Sequence, residues 1–140
     1  MLATMIGIFA LSSQDGTESG NLSKWLAESG FGRFLLKFLP PLTGEGAELD
    51  IRKYAHIGEY TMLSLFSGLF FVELLEERVP KHSLFPTLLL CFLFACSDEF
   101  HQTLISGRAG QFSDVLVDMI GVVLGVLLSY PISGHRKESV

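Results

Sequence analysis

Chemically capable side chains gather in two stretches of this chain. One is Asp98-Glu99-Phe100-His101-Gln102, followed by Arg108, Asp114 and Asp118; the other holds Arg52, Lys53, His56, Glu59 and Tyr60. Carboxylates beside an imidazole and a carboxamide offer hard oxygen and nitrogen ligands for a divalent cation, or a general acid and base. With Arg52, Lys53 and Arg108 they would equally make a charge network that only fixes packing. Neither H-E-x-x-H, paired C-x-x-C, G-x-S-x-G nor a phosphate loop occurs, so the motifs do not choose between these readings.

The surroundings of these groups are apolar. The chain has 140 residues, 49% of them hydrophobic, and a mean hydropathy of +0.43, which is high for a water-soluble protein and predicts a single all-α membrane domain over 1–140. Burying one Asp at mid-bilayer costs about 2.5–3.5 kcal/mol on insertion scales, so charges clustered against apolar runs mark a functional site. A formal charge of −5 supplies no basic stripe and excludes a nucleic-acid partner. Cys91 and Cys96 lie about 140° apart on a helix and read as buried, inert thiols.

Three segments are long enough to span a bilayer: 54–75, 84–104 and 115–132. Pro80 and Pro86 mark the start of the second, where a missing N–H does no harm. Residues 1–13 predict a shortened first helix, since an apolar run of about 11 residues rises only ~16 Å. The run lacks the basic front and small-residue cleavage site of a signal peptide. Within the connection that follows, 21–39 reads as an interfacial amphipathic segment. Leu22, Trp25 and Leu26 share one helical face, and Phe31, Phe34, Leu35 and Phe38 share another after Ser29-Gly30. Gly121 and Gly125, with Gly58, Ser64 and Gly68, predict close helix packing.

Four alternating helices would bring the polar groups to one leaflet. Ser12, Ser13 and Gln14 close the first; Arg52, Lys53, His56 and Glu59 open the second; Asp98, Glu99 and Gln102 close the third; Asp114 and Asp118 open the fourth. Depth agrees, because Glu59 lies ~9 Å beyond Lys53 and Asp118 ~6 Å beyond Asp114 along their helices. His56 with Glu59 (i,i+3), and Asp114 with Asp118 (i,i+4), each share a face that can turn inward, whereas Glu99 and His101 point partly elsewhere.

The motifs Phe9-Ala10-Leu11-Ser12-Ser13-Gln14, Arg52-Lys53-x-Ala55-His56-x-x-Glu59-Tyr60, Asp98-Glu99-x-His101-Gln102, Gly107-Arg108 and Asp114-x-x-x-Asp118-x-x-Gly121 resemble, in order and spacing, the VanZ-like family of bacterial membrane proteins. The resemblance implies a small multi-helix, multi-pass protein of the bacterial plasma membrane, and an association with resistance to teicoplanin, a lipid-tailed glycopeptide acting outside the cell. The motif positions are Ser13, Gln14, Arg52, Lys53, His56, Glu59, Tyr60, Asp98, Glu99, Gln102, Arg108, Asp114, Asp118 and Gly121.

The function expected on this basis is a polar intramembrane pocket, opening outward, that binds or modifies a lipid-linked or lipid-tailed cell-envelope molecule and lowers susceptibility to teicoplanin-like lipoglycopeptides. Candidate catalytic groups are His56, Glu59, Asp98, Glu99 and Asp114. Candidate substrate-binding groups are Gln14, Arg52, Lys53, Tyr60, Gln102, Arg108 and Asp118. A divalent cation is the cofactor such a donor set would take, with His56, Glu59 and Asp98 as candidate ligands. The expected partners are the lipid bilayer and a lipid-linked precursor or lipoglycopeptide, with self-association allowed for. A naive positive-inside count opposes the outward orientation, setting Lys24, Arg33, Lys37, Arg52, Lys53 and Arg108 against Arg78, Lys81, Arg136 and Lys137, although several pocket-side cations belong to the pocket or its lid. The alternatives are a non-enzymatic membrane module with a structural charge network, or an ion-coupled transporter subunit, for which four short helices would require an oligomer.

Overall fold

The computed structural model describes residues 1–75, 81–108 and 110–137, with side chains as far as Ser129 apart from Lys81. Pro80 and Arg78 lie outside the described residues. The described chain is all-helical, with six helices: α1 (Leu2–Ser12), α2 (Gly16–Glu28), α3 (Gly30–Phe38), α4 (Ala47–Leu74), α5 (Lys81–Gln102) and α6 (Phe112–Lys137). Helices α4, α5 and α6 contain the three segments long and apolar enough to cross a membrane, and α1 is a shorter apolar helix of 11 residues.

Among the described residues α4 and α6 form the most extensive contact, with α5 and α1 packed beside them. Their seam is built from small groups. A Cβ added at Gly121 would stand 2.3 Å from the Ile57 carbonyl oxygen, and one at Gly125 would stand 2.2 Å from that of Thr61 and 2.0 Å from Ser64 Oγ. Further along, a Cβ at Gly68 would stand 2.8 Å from Ser129 Oγ. These positions ascend both helices together, so α4 and α6 run parallel while α5 returns between them. Without a hydrophobic drive between helices in lipid, such close backbone approach is what holds a pair. Gly58 takes no part: nothing lies within 4 Å of its would-be Cβ, because it sits about 100° around the helix from Ile57.

The core is correspondingly small, comprising Ile8, Tyr60, Leu63, Cys91, Ala95, Val115 and Val122. Outward faces carry exposed Met62, Phe66 and Phe70 on α4, Phe85, Leu89 and Leu93 on α5, and Leu116, Val123 and Leu127 on α6. That distribution suits lipid, where exposed apolar side chains need no cover. Cys91 is buried as expected, whereas Cys96 is only half-buried; neither forms a disulfide. Pro86 differs from expectation as well. α5 starts three residues before Leu84, so the proline lies inside the helix and removes one backbone donor from its second turn.

The connection between α1 and α4 is ordered by capping. Asp15 accepts from the backbone N–H groups of Thr17 and Glu18, both at 2.8 Å, so α2 begins at Gly16. Ser29 ends α2 and caps α3 through a 3.0 Å bond from the Gly32 N–H. Asp50 accepts from the N–H groups of Leu42 and Thr43 at 3.0 and 2.8 Å, and the Tyr54 hydroxyl donates to the Pro40 carbonyl, which ties the loop before α4 to that helix.

The Asp15 cap makes α2 sensitive to acid. The Thr17 hydroxyl first, then the Glu18 N–H, hold the Asp15 carboxyl below its ordinary pKa. With the folded value below the unfolded one, the cap's contribution is complete above the unfolded pKa and is lost as pH falls through the folded one. Amide protection across residues 16–28 is expected to drop on acidification through that window. Asp15→Asn, a good cap without a charge, should remove the acid step while keeping protection at neutral pH. Protection indifferent both to acid and to Asp15→Ala would refute the assignment.

Candidate functional site

The ends of α1 and α5 meet the beginnings of α4 and α6. Ser12 Oγ donates to Asp98 Oδ2 at 2.9 Å, joining α1 to α5. Lys53 Nζ lies 2.9 Å from Asp114 Oδ1, and His56 Nδ1 lies 3.3 Å from Asp118 Oδ1, joining α4 to α6. The polar groups therefore do gather at one end of the bundle. They divide into three neighbouring clusters rather than one pocket.

The first is a buried polar centre. Asp98, Glu99, Gln102 and Asp118 are all buried, with Asp118 0% exposed. Gln102 Nε2 donates to Asp98 Oδ2 at 3.0 Å and to Glu99 Oε1 at 2.9 Å, while the Gln111 N–H donates to Glu99 Oε2 at 3.0 Å. The last contact needs the chain after the loop to cross close to α5, which Gly110 permits: a Cβ there would stand 2.1 Å from the Glu99 carbonyl oxygen. Asp98 Oδ1, both Asp118 oxygens, His56 Nδ1 and the Tyr60 hydroxyl are buried without a hydrogen-bond partner.

Beside it, between α4 and α2, is a cavity of about 90 Å³. It is lined by polar groups, His56, Glu59, Arg52, Arg108, Gln14 and Ser12 among them, and by apolar Leu11, Leu22, Leu26 and Ile51. Arg108 reaches this place from the loop after α5, donating to the Ser12 carbonyl at 3.0 Å and to that of Leu11 at 3.4 Å. Burial, and then the nearby charge of Arg52, hold the Arg108 guanidinium below its ordinary pKa. Gly107, at φ +74°, turns the chain into position, and the Gly16 N–H donates to the Ser106 carbonyl at 3.0 Å, clamping the loop onto the start of α2.

The third cluster is a polar groove of about 290 Å³ lined by Thr43, Glu45, Arg52, Lys53, Gln111 and Asp114. Asp114 thus belongs to a different place from Asp118, although both were expected in one pocket. The i,i+4 spacing leaves Asp114 a full turn nearer the helix start, where Lys53 takes it. Tyr60 and Gln102 do not line the cavity: Tyr60 is packed in the core near Phe94, and Gln102 organises two carboxylates.

The donor atoms that converge are not all those expected as candidate metal ligands. One ligand atom from each of His56, Glu99 and Asp118 lies within 4.8 Å of the other two, and Glu59 and Asp98 are outside that group. Glu59 turns with the cavity face of α4, about 60° around the helix from His56. Glu99, expected to point partly away, is buried toward α6, while His101 stacks on Phe9 with centroids 4.3 Å apart. Arg52 and Arg108 were candidates to neutralise the carboxylates. Of Arg52, Lys53 and Arg108, only Lys53 forms an ion pair among the described residues, and only with Asp114.

Ser12 and the α2 side chains Ser19, Leu22, Ser23 and Leu26 line the cavity although none was among the expected site residues. A signal for α2 was present, since Asp15-Gly16-Thr17-Glu18 has the acid-x-x-Glu form of a capping box. The match over residues 1–133 is to the family described as VanZ/LLP1.

The chain belongs to the VanZ/LLP1 family.

No curated protein and no solved structure matches it. Because the family match covers the whole bundle from α1 through most of α6, all three clusters fall within the family domain. The VanZ-like chain therefore presents a membrane-type bundle whose polar residues converge at one end, with a cavity roofed by α2.

Proposed function

We propose that the α2–α4 cavity binds the anionic headgroup of a lipid-linked or lipid-tailed cell-envelope molecule at the outer face of the bacterial plasma membrane, and that this lowers susceptibility to teicoplanin-like lipoglycopeptides. The observation that carries the reading is that Arg52 and Arg108 line one small cavity together with Leu11, Leu22, Leu26 and Ile51. Among the described residues neither guanidinium forms an ion pair with a carboxylate. Two adjacent unpaired guanidiniums suit a phosphate or carboxylate, and apolar lining suits the start of a lipid chain. Exposed Trp25, Phe31, Phe34 and Phe38 on α2 and α3 match an interfacial helix pair that would hold this entrance at headgroup depth.

Teicoplanin susceptibility of a bacterial host expressing the chain tests the proposal. Each charge-assisted contact is worth about 1.5–3 kcal/mol, so losing one guanidinium weakens headgroup binding about tenfold or more. Arg52→Gln with Arg108→Gln is expected to abolish protection at an unchanged membrane level of the protein. Protection equal to wild type at equal level would sink the proposal. The ion pairs Lys53–Asp114 and His56–Asp118 favour a second reading, a non-enzymatic module in which buried charges only fix helix packing.

A further inference from the structure

We infer that His56, Glu99 and Asp118 form a binding site for one divalent transition cation, Zn²⁺ or Mn²⁺, in the buried centre beside the cavity. The inference stands whether or not the cavity takes a lipid headgroup.

Convergence of donors is the first support. Three ligand atoms contributed by α4, α5 and α6 lie within 4.8 Å of one another. Four donors around a cation at about 2.1 Å stand ~3.4 Å apart, so the widest pair would need to close by about 1.4 Å at most. The His56 Nδ1 to Asp118 Oδ1 separation of 3.3 Å already matches such an edge.

The unmet valence of these atoms is the second and independent support. Asp118 is 0% exposed, and neither of its oxygens has a hydrogen-bond partner. His56 Nδ1 stands 3.3 Å from Asp118 Oδ1, an ion pair only if the imidazole is protonated, and makes no hydrogen bond of good geometry. A purely structural ion network satisfies its lone pairs, because each buried orphan costs about 1–3 kcal/mol. Asp118 Oδ2 has no partner at all, and a cation held by Asp118 and an unprotonated His56 would satisfy it.

Charge points the same way. Asp98, Glu99 and Asp118 are buried together, and among the described residues the only ion-pair partner of the three is His56, which faces Asp118. Lys53 is occupied by Asp114, and Arg108 donates to backbone carbonyls. A divalent cation would offset two of the three negative charges. Glu99 is already oriented as a ligand by Gln102 and by the Gln111 N–H, the supporting contacts that metal carboxylates receive. One imidazole with two carboxylates suits Zn²⁺ or Mn²⁺ better than Mg²⁺ or Ca²⁺, which favour all-oxygen shells. Three protein ligands leave a coordination position open, and His56 also lines the cavity.

The test uses full-length protein in detergent, stripped with a chelator and titrated with Zn²⁺, Mn²⁺ and Mg²⁺ by calorimetry. One equivalent of Zn²⁺ or Mn²⁺ per chain, raising the unfolding temperature, is expected, with Mg²⁺ much weaker. Glu99→Gln and Asp118→Asn should each weaken binding about tenfold or more, while Glu48→Gln, at an exposed carboxylate of α4, leaves it unchanged. Wild-type protein that binds neither Zn²⁺ nor Mn²⁺ stoichiometrically overturns the site, as do folded ligand variants that bind like wild type. Should those variants fail to fold, Co²⁺ in the wild type decides. Ligand-field absorption distinct from aqueous Co²⁺ supports the site, and a spectrum identical to the aqueous ion overturns it.

Discussion

Replacing His56 alone with Phe is expected to destabilise the metal-free protein by about 3–5 kcal/mol, a cost typical of breaking a buried pair and leaving one charge behind. The charge left is Asp118, 0% exposed, on the helix that shares the tightest seam with α4. Its only ion-pair partner among the described residues is His56. Replacing both residues together, His56→Phe with Asp118→Leu, removes the unpaired charge and is expected to restore most of that stability, since apolar substitutes for a buried pair are often neutral. Thermal unfolding in detergent measures both effects. The same double variant separates the two functional readings. Restored stability with lost protection against teicoplanin places the pair in the functional machinery. Restored stability with restored protection makes it a packing device.

Gly125→Ala carries the second large effect. Its new Cβ would lie 2.0 Å from Ser64 Oγ and 2.2 Å from the Thr61 carbonyl oxygen. Ser64 has freedom to rotate, but the carbonyl is fixed in α4, so the helices themselves must part. A cost of about 3 kcal/mol, the upper range for overpacking, is expected even after the roughly 1 kcal/mol gained from replacing a helical glycine with alanine. Gly58→Ala on the same α4 should be neutral or slightly stabilising, because open space surrounds that position. The displaced seam would also draw Asp118 away from His56, so cation binding and stability should fail together in Gly125→Ala. Equal unfolding temperatures for Gly125→Ala and Gly58→Ala would contradict the packing described.

Much of the site was legible in the order of residues along the chain. Alternating helices force Ser12, Lys53, Asp98 and Asp114 to one end of a bundle, and the contacts Ser12–Asp98 and Lys53–Asp114 realise that constraint. Gly121 and Gly125 were readable as a packing seam because small residues one turn apart have few other uses in a span. The start of α2 was readable from Asp15 and Glu18, but a Gly- and Ser-rich stretch masked it by low helix propensity. Pro86 misled for the opposite reason: proline is a weak boundary marker in a span, since local adjustments re-satisfy the freed backbone group.

What the sequence determined by itself is the class of the protein: apolar runs of spanning length, charge confined to their ends, and therefore a membrane bundle with its polar groups at one level. Helical periodicity depends only on neighbours along the chain, so it survives without knowledge of partners. Tertiary structure alone decided which charges meet. Whether His56 faces Asp118 or Asp98, whether Glu99 or Glu59 joins them, and whether Arg108 reaches a carboxylate or the Ser12 carbonyl depend on helix rotation about its axis. That rotation is set by the close approach of Gly121 to Ile57 and of Gly125 to Thr61, contacts between residues more than sixty positions apart. A turn of about 60° exchanges His56 for Glu59 as the inward group, and no spacing along one helix can report it.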